Sequence, residues 1–287
     1  MDEDKFEEEV RISGSGKVSG GSYGKITVSG SGEITGDVEA REISVAGSAK
    51  FEADVDCRDI TVTGTCRIYG NLEAEKIVSR GSLSVDNNVR SIALKSYGSL
   101  KVGKDLTAED IYLAGSSEIK NDLEAESFVS RGSFSIEELL TADKIDVWLG
   151  SKNRASEVGG GVIEITKRGL PLDLNSEKIK DGVENLERGL DRLGDKLGFN
   201  LDLDEEKISS GITKFGKKIN YYVKEIGNGR FESSLIEGDE VILEGVKSET
   251  VRGSHVQIGE DCVIDKVEFS DTIEIDEGAT VKKTERL

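Results

Sequence analysis

Between Arg41 and Ala142 the apolar side chains arrive in short bursts of every-second-residue alternation, and the whole pattern returns every 17 residues. Segments beginning at Arg41, Arg58, Glu75, Ile92, Glu109 and Glu126 align without a gap. Their third position reads Ile43, Ile60, Ile77, Leu94, Ile111, Phe128, and the seventh is always glycine: Gly47, Gly64, Gly81, Gly98, Gly115, Gly132. The eleventh reads Phe51, Ile68, Val85, Val102, Ile119, Ile136, and the fifteenth Val55, Leu72, Val89, Leu106, Leu123, Leu140. The seventeenth is small throughout, from Cys57 and Ala74 to Ala125 and Ala142. A fixed period of this size means stacked structural units.

Each burst is the mark of a strand with one buried face, so one repeat holds three short strands and three corners. That describes one coil of a parallel β-helix, whose successive coils pair in register about 4.8 Å apart. The Ile, Val and Leu columns then become continuous internal ladders. Position 17 stays small because an inside corner leaves little room. The glycine column predicts corners with positive φ. No apolar stripe at helical spacing crosses these segments.

Upstream, Ile26, Val28, Gly30, Ile34, Val38 and Ala40 fit one full coil, and Val10, Ile12, Gly14 and Val18 a shorter one. Downstream, Ile145, Val147, Ile163 and Ile165 continue the ladder. Residues 1–8 (MDEDKFEE) form a charged, unpatterned tail, expected to be disordered. The sole proline, Pro171, closes the 9–170 β-helix region. A new period follows over 171–229. Ile179, Val183, Leu186, Leu190, Leu193 and Leu197 form one heptad stripe; Ile208, Ile212, Phe215, Ile219, Tyr222 and Ile226 form another. Both predict an inserted antiparallel helical hairpin joined through 198–204. The rival reading is an amphipathic surface on a membrane, favoured by Lys214, Lys217, Lys218 and Lys224 around Phe215. Over 230–287 the period-2 pattern returns, with Val256, Ile258, Ile273 and Ile275 one repeat apart. The expectation is about 11–12 coils, a stack of about 55 Å at the strand spacing.

Composition narrows the function. Aromatics make up 5 % of the 287 residues, and no apolar run reaches the length of a membrane span. The default location is cytoplasmic. A net charge of −19 argues against nucleic acid as a partner. Cys57, Cys66 and Cys262 fall on inward positions without metal-ligand spacing and read as core residues. His255, the single histidine, lies in a loop-like GSHVQ and would be the base if this were a hexapeptide-type acyltransferase; that family's 18-residue coil does not match. Gly159–Gly161 lacks the lysine of a phosphate loop and reads as a coil corner. No catalytic, cofactor or metal constellation is expected.

Segments such as ITGDVEAREISVAGSAKFEADVDCRDITVTG (34–64) and IYGNLEAEKIVSRG (68–81) resemble the bactofilins. The recurring phrase G-(D/N)-(V/L/I)-x-A stands at Gly36–Ala40 and Gly70–Ala74, with a looser copy at Asn121–Ala125. The stretch 236–268 resembles bactofilin-like polymer-forming proteins. The resemblance implies a right-handed β-helix that polymerises end to end without nucleotide into cytoplasmic filaments that often lie on the membrane. The partners implied are other copies of the chain, a membrane surface, or another cytoskeletal or envelope protein. Two features depart from the family: the longer coil stack with its insertion, and an N-terminus too acidic for the usual short apolar membrane motif. Independently of the family, open solenoid ends are templates for another copy. The candidates for that contact are Val10, Ile12 and Val18 at one end and Phe269, Ile273, Ile275 and Val281 at the other. The alternative is a non-polymerising scaffold whose hairpin binds a partner.

Overall fold

The computed structural model describes Phe6, residues 8–167 and residues 229–287. Residues 1–167 with 229–287 form one compact unit and 168–228 a second. The hairpin seam from Ile179 to Ile226 lies outside the described residues.

The first unit is an all-β parallel solenoid of about 13 turns. The bursts of alternation become its strands. In the regular region an eight-residue strand, such as β5 (Val55–Val62) or β7 (Leu72–Ser79), alternates with a four-residue strand, such as β6 (Thr65–Ile68) or β8 (Ser82–Val85). Every pairing among the described residues is parallel, and Ile60, Ile77, Leu94, Ile111 and Phe128 form one column in which each pairs with the next. The long strands take a corner within themselves: Ala108 pairs with Ala125 and Asp110 with Ser127, while Glu109 between them pairs with neither.

The insertion does not interrupt the stack. Strand β15 (Lys152–Thr166) pairs β16 (Arg230–Leu243) in register, Ile163 on Val241 and Ile165 on Leu243. The apolar ladder therefore runs through the excursion as if it were absent. Buried residues from Ile12 to Val267 form one continuous core, so each coil contributes only a few side chains to it. Small errors of volume are then felt locally.

Of residues 1–8 only Phe6 and Glu8 are among the described residues. Phe6 is 7 % exposed and packs beneath the Arg41 guanidinium, 5.4 Å from its ring centroid. The Gly24 amide donates to Glu8 O at 2.8 Å.

The glycine column has a different cause from the one expected. Among the described glycines positive φ occurs only at Gly21, Gly36 and Gly245, and none of the six repeat glycines is among them. A Cβ at Gly47, Gly64, Gly81, Gly98, Gly115 or Gly132 would instead sit closer than 3.0 Å to the carbonyl oxygen of the preceding glycine of the column. That carbonyl is engaged: Gly81 O accepts from Ser99 N at 2.9 Å, Gly98 O from Ser116 N at 2.9 Å. The turns stack so closely that no side chain fits, whatever the backbone angle. Gly14, with no coil above it, has nothing within 4 Å.

Candidate assembly surfaces

The two open ends of the solenoid are built from the residues named above. Strand β1 (Glu9–Ile12) pairs β2 (Ser15–Val28) on one side only, Val10 on Ile26 and Ile12 on Val28. At the far end β19 (Thr280–Arg286) covers β18 (Val263–Ile275) only from Val263 to Phe269, so Thr272–Ile275 present an open edge. Apolar residues that pack on the core while staying partly exposed are Val10, Val18, Ala125, Phe269, Ile273, Ala279 and Val281. All but Ala125 lie at the ends. Ile275 is 43 % exposed, whereas Ile12 is buried within the first coil.

Side-chain ladders that the apolar pattern did not reveal tie the coils together. Asn71 N and Nδ2 donate to Asp54 Oδ1 at 2.7 and 3.1 Å. Asn88 repeats this on Asn71, Asp105 N reaches Asn88 Oδ1 at 3.3 Å, and Leu139 N reaches Asp122 Oδ1 at 3.0 Å. The signal was present as an Asp/Asn column at position 14, hidden among many acids. Ion pairs also bridge neighbouring coils. Glu118 is held below its ordinary carboxylate value by hydrogen bonds from Lys120 and then Lys101.

The small column has a second role. In register it reads Ala40, Cys57, Ala74, Ser91, Ala108, Ala125, Ala142, Gly160, Gly238 and Gly253, stopped by Tyr23 upstream and Phe269 downstream. Over the regular coils it floors an open furrow of about 710 Å³, walled by residues such as Glu73, Glu75, Ile92, Glu109 and Glu126. Gly159–Gly161 lies within β15: Gly159 and Gly160 pair with Thr141 and Ala142, and Gly161, unpaired like Glu109, stands at the corner inside the strand.

The candidate chemistry is scattered. Burial pushes the Cys57 and Cys66 thiols up to about 12 and Cys262 to about 11, which keeps them protonated and unreactive. His255 is exposed on the outer side of β17 (Val246–Ile258), its Nδ1 3.0 Å from Thr272 Oγ1 and its Nε2 3.9 Å from Asp271. Among the described residues no group of His, Cys, Asp and Glu is placed to hold a metal ion. No described helix is long and apolar enough to cross a membrane.

The comparison with known families reaches the N-terminal coils. Residues 3–90 match the bactofilins, described as polymer-forming cytoskeletal proteins. The bactofilin resemblance read at Gly36–Ala40 and Gly70–Ala74 falls inside that stretch and is borne out there. Asn121–Ala125 and 236–268 lie beyond it, on coils that continue the same solenoid. A 55-residue stretch is 44 % identical to the uncharacterized protein YhbE of Bacillus subtilis (strain 168), covering 19 % of this chain and 23 % of that protein. No solved structure matches the chain. The bactofilin family is structural and cytoskeletal.

Proposed function

We propose that the protein is a cytoplasmic, non-enzymatic scaffold whose right-handed solenoids polymerise end to end without nucleotide. The observation that carries this is the match between the two ends. Val10 opens the ladder that Ile273 closes, through Ile26, Ile60 and Val256. Ile12 and Ile275 are the corresponding ends of the neighbouring ladder, through Val28 and Ile258. Val18 and Val281 stand on the third inward column. The step from Ile12 to Val18 equals the step from Ile275 to Val281. A second copy can therefore lay Glu9–Ile12 on Thr272–Ile275 and Val18 on Val281 in one register, and its first coil becomes the next coil of the stack. The unpaired amides and carbonyls of both edges would be satisfied, and the partly exposed apolar residues would be covered.

Analytical ultracentrifugation with negative-stain microscopy tests this. Wild type should form unbranched filaments one solenoid wide without added nucleotide. Val281→Glu should leave folded monomers, and so should Val10→Glu. Filaments of wild-type length in both variants would refute the end-to-end contact.

A further inference from the structure

Where two open ends meet, the register fixes more than the apolar ladders. Val10 on Ile273 and Ile12 on Ile275 set Arg11 of one copy beside Glu274 of the other, since each is the outward residue between its end's two apolar ones. Both side chains are exposed and, among the described residues, neither forms an ion pair. Within the stack, opposite charges in this relation do pair. Lys25 meets Glu42 at 2.7 Å and Lys101 meets Glu118 at 3.2 Å, each couple in register and one coil apart. Along the same strands Glu9 would face Thr272, Lys17 would face Thr280 and Ser19 would face Lys282, so no like charges meet directly.

Gly14 is the second observation. It heads the glycine column, and a Cβ at the next member, Gly30, would strike Gly14 O and Ser13 O, whereas one at Gly14 meets nothing within 4 Å. The isolated chain therefore makes no steric demand for glycine there, although glycine gives up more backbone freedom on folding than any other residue. The joint does make that demand. Glu277 follows Ile275 by two residues as Gly14 follows Ile12, so the turn at Asp276 and Glu277 comes to lie over the next copy's Gly14. We infer that the two ends are keyed to each other, an inference that rests on the end-to-end reading above. Glu274 of one copy pairs with Arg11 of the next, and Gly14 leaves room for the Asp276–Glu277 backbone. The ion pair selects the register, and the missing side chain lets the joint close to the spacing used between coils inside the stack. Each copy gives a different end to the contact and keeps the other free, so the product is an open filament whose copies all point one way.

Pelleting of the full chain over a concentration series, with negative-stain microscopy, tests the keying. Arg11→Glu alone and Glu274→Arg alone should each raise the concentration at which filaments appear by about three- to tenfold, as expected when an exposed attraction becomes a repulsion. Circular dichroism should be unchanged in both. Mixed in equal amounts, the two variants should assemble close to the wild-type concentration. Each altered end then meets the oppositely charged altered end of the other variant, and each native end meets a native end. Gly14→Ala should melt as wild type does and form no filaments. Wild-type assembly by either charge variant alone, no rescue on mixing, or filaments from Gly14→Ala would overturn the inference. The end-to-end reading would survive those results if Val10→Glu and Val281→Glu still stayed monomeric; a wild type that forms no filaments would overturn both.

Discussion

At the residue scale, two kinds of steric limit govern the coil. The repeat glycines answer to the carbonyl of the coil above, not to their own φ, and the two causes predict different mutants. Gly98→Asn should be as damaging as Gly98→Ala, because either Cβ strikes Gly81 O, whereas a positive-φ site would favour Asn. Loss of about 1–3 kcal/mol is expected for both, as for other overpacked sites. Gly14→Ala, which meets nothing, should stay within about 0.5 kcal/mol of wild type. Denaturant melts of the three variants decide between the explanations. The second limit concerns volume on either side of that turn. The buried pairs Val45/Ala49, Val62/Cys66, Ser79/Leu83, Ser96/Leu100, Leu113/Ser117 and Ser130/Phe134 keep one bulky member against one small one, and the bulky member changes sides. This accounts for buried hydroxyls with no hydrogen-bond partner at Ser79, Ser96, Ser117 and Ser130: those positions require smallness. Leu113→Ser should cost about 2–5 kcal/mol by leaving a cavity, and Ser117→Leu about 1–3 by overpacking. The double variant should recover part of both losses, with a coupling of about 0.5–3 kcal/mol in a double-mutant cycle.

At the element scale, neighbouring coils are joined by backbone ladders, the Asp/Asn column and cross-coil ion pairs. The most enclosed of the acids is Glu268, held between Lys266 and Arg252 Nε, the latter at 2.8 Å. Hydrogen bonds from Lys266 and then Arg252 keep its carboxyl below the ordinary 4.5. A carboxylate depressed in the folded state binds fewer protons there than in the unfolded chain. Its contribution is therefore present above the ordinary value and is lost as pH falls through the folded one. Thermal stability should drop on acidification below about pH 4.5, and Glu268→Gln should flatten that part of the profile. A variant whose acid limb matches wild type would show that the pair carries no linkage. The same coils explain the tolerance for an insertion. The chain leaves after β15 and returns at β16 in register, so an excursion of any length costs the stack only loop closure, which grows slowly with length.

For the whole molecule, charge sets the conditions of assembly. Subunits at −19 repel, so end-to-end growth should strengthen as salt rises from low to physiological, where the screening length is about 8 Å. Sedimentation across a salt series should therefore show longer assemblies as salt rises; filament mass that falls with salt would contradict the end-to-end mechanism.

The repeat by itself determined the class of fold. A period of 17 with three alternating bursts admits a parallel coil and little else, because every buried position must recur one strand spacing away. It also placed the glycines, the small column and the end residues, since all depend only on position within a coil. What the sequence alone left undecided was set by contacts between coils. Phe6 is buried beside Arg41, which lies 35 residues further along the chain. The reason for the glycines lies in a carbonyl 17 residues away. The furrow exists only once successive coils are stacked, because a surface column is formed by residues no local window brings together.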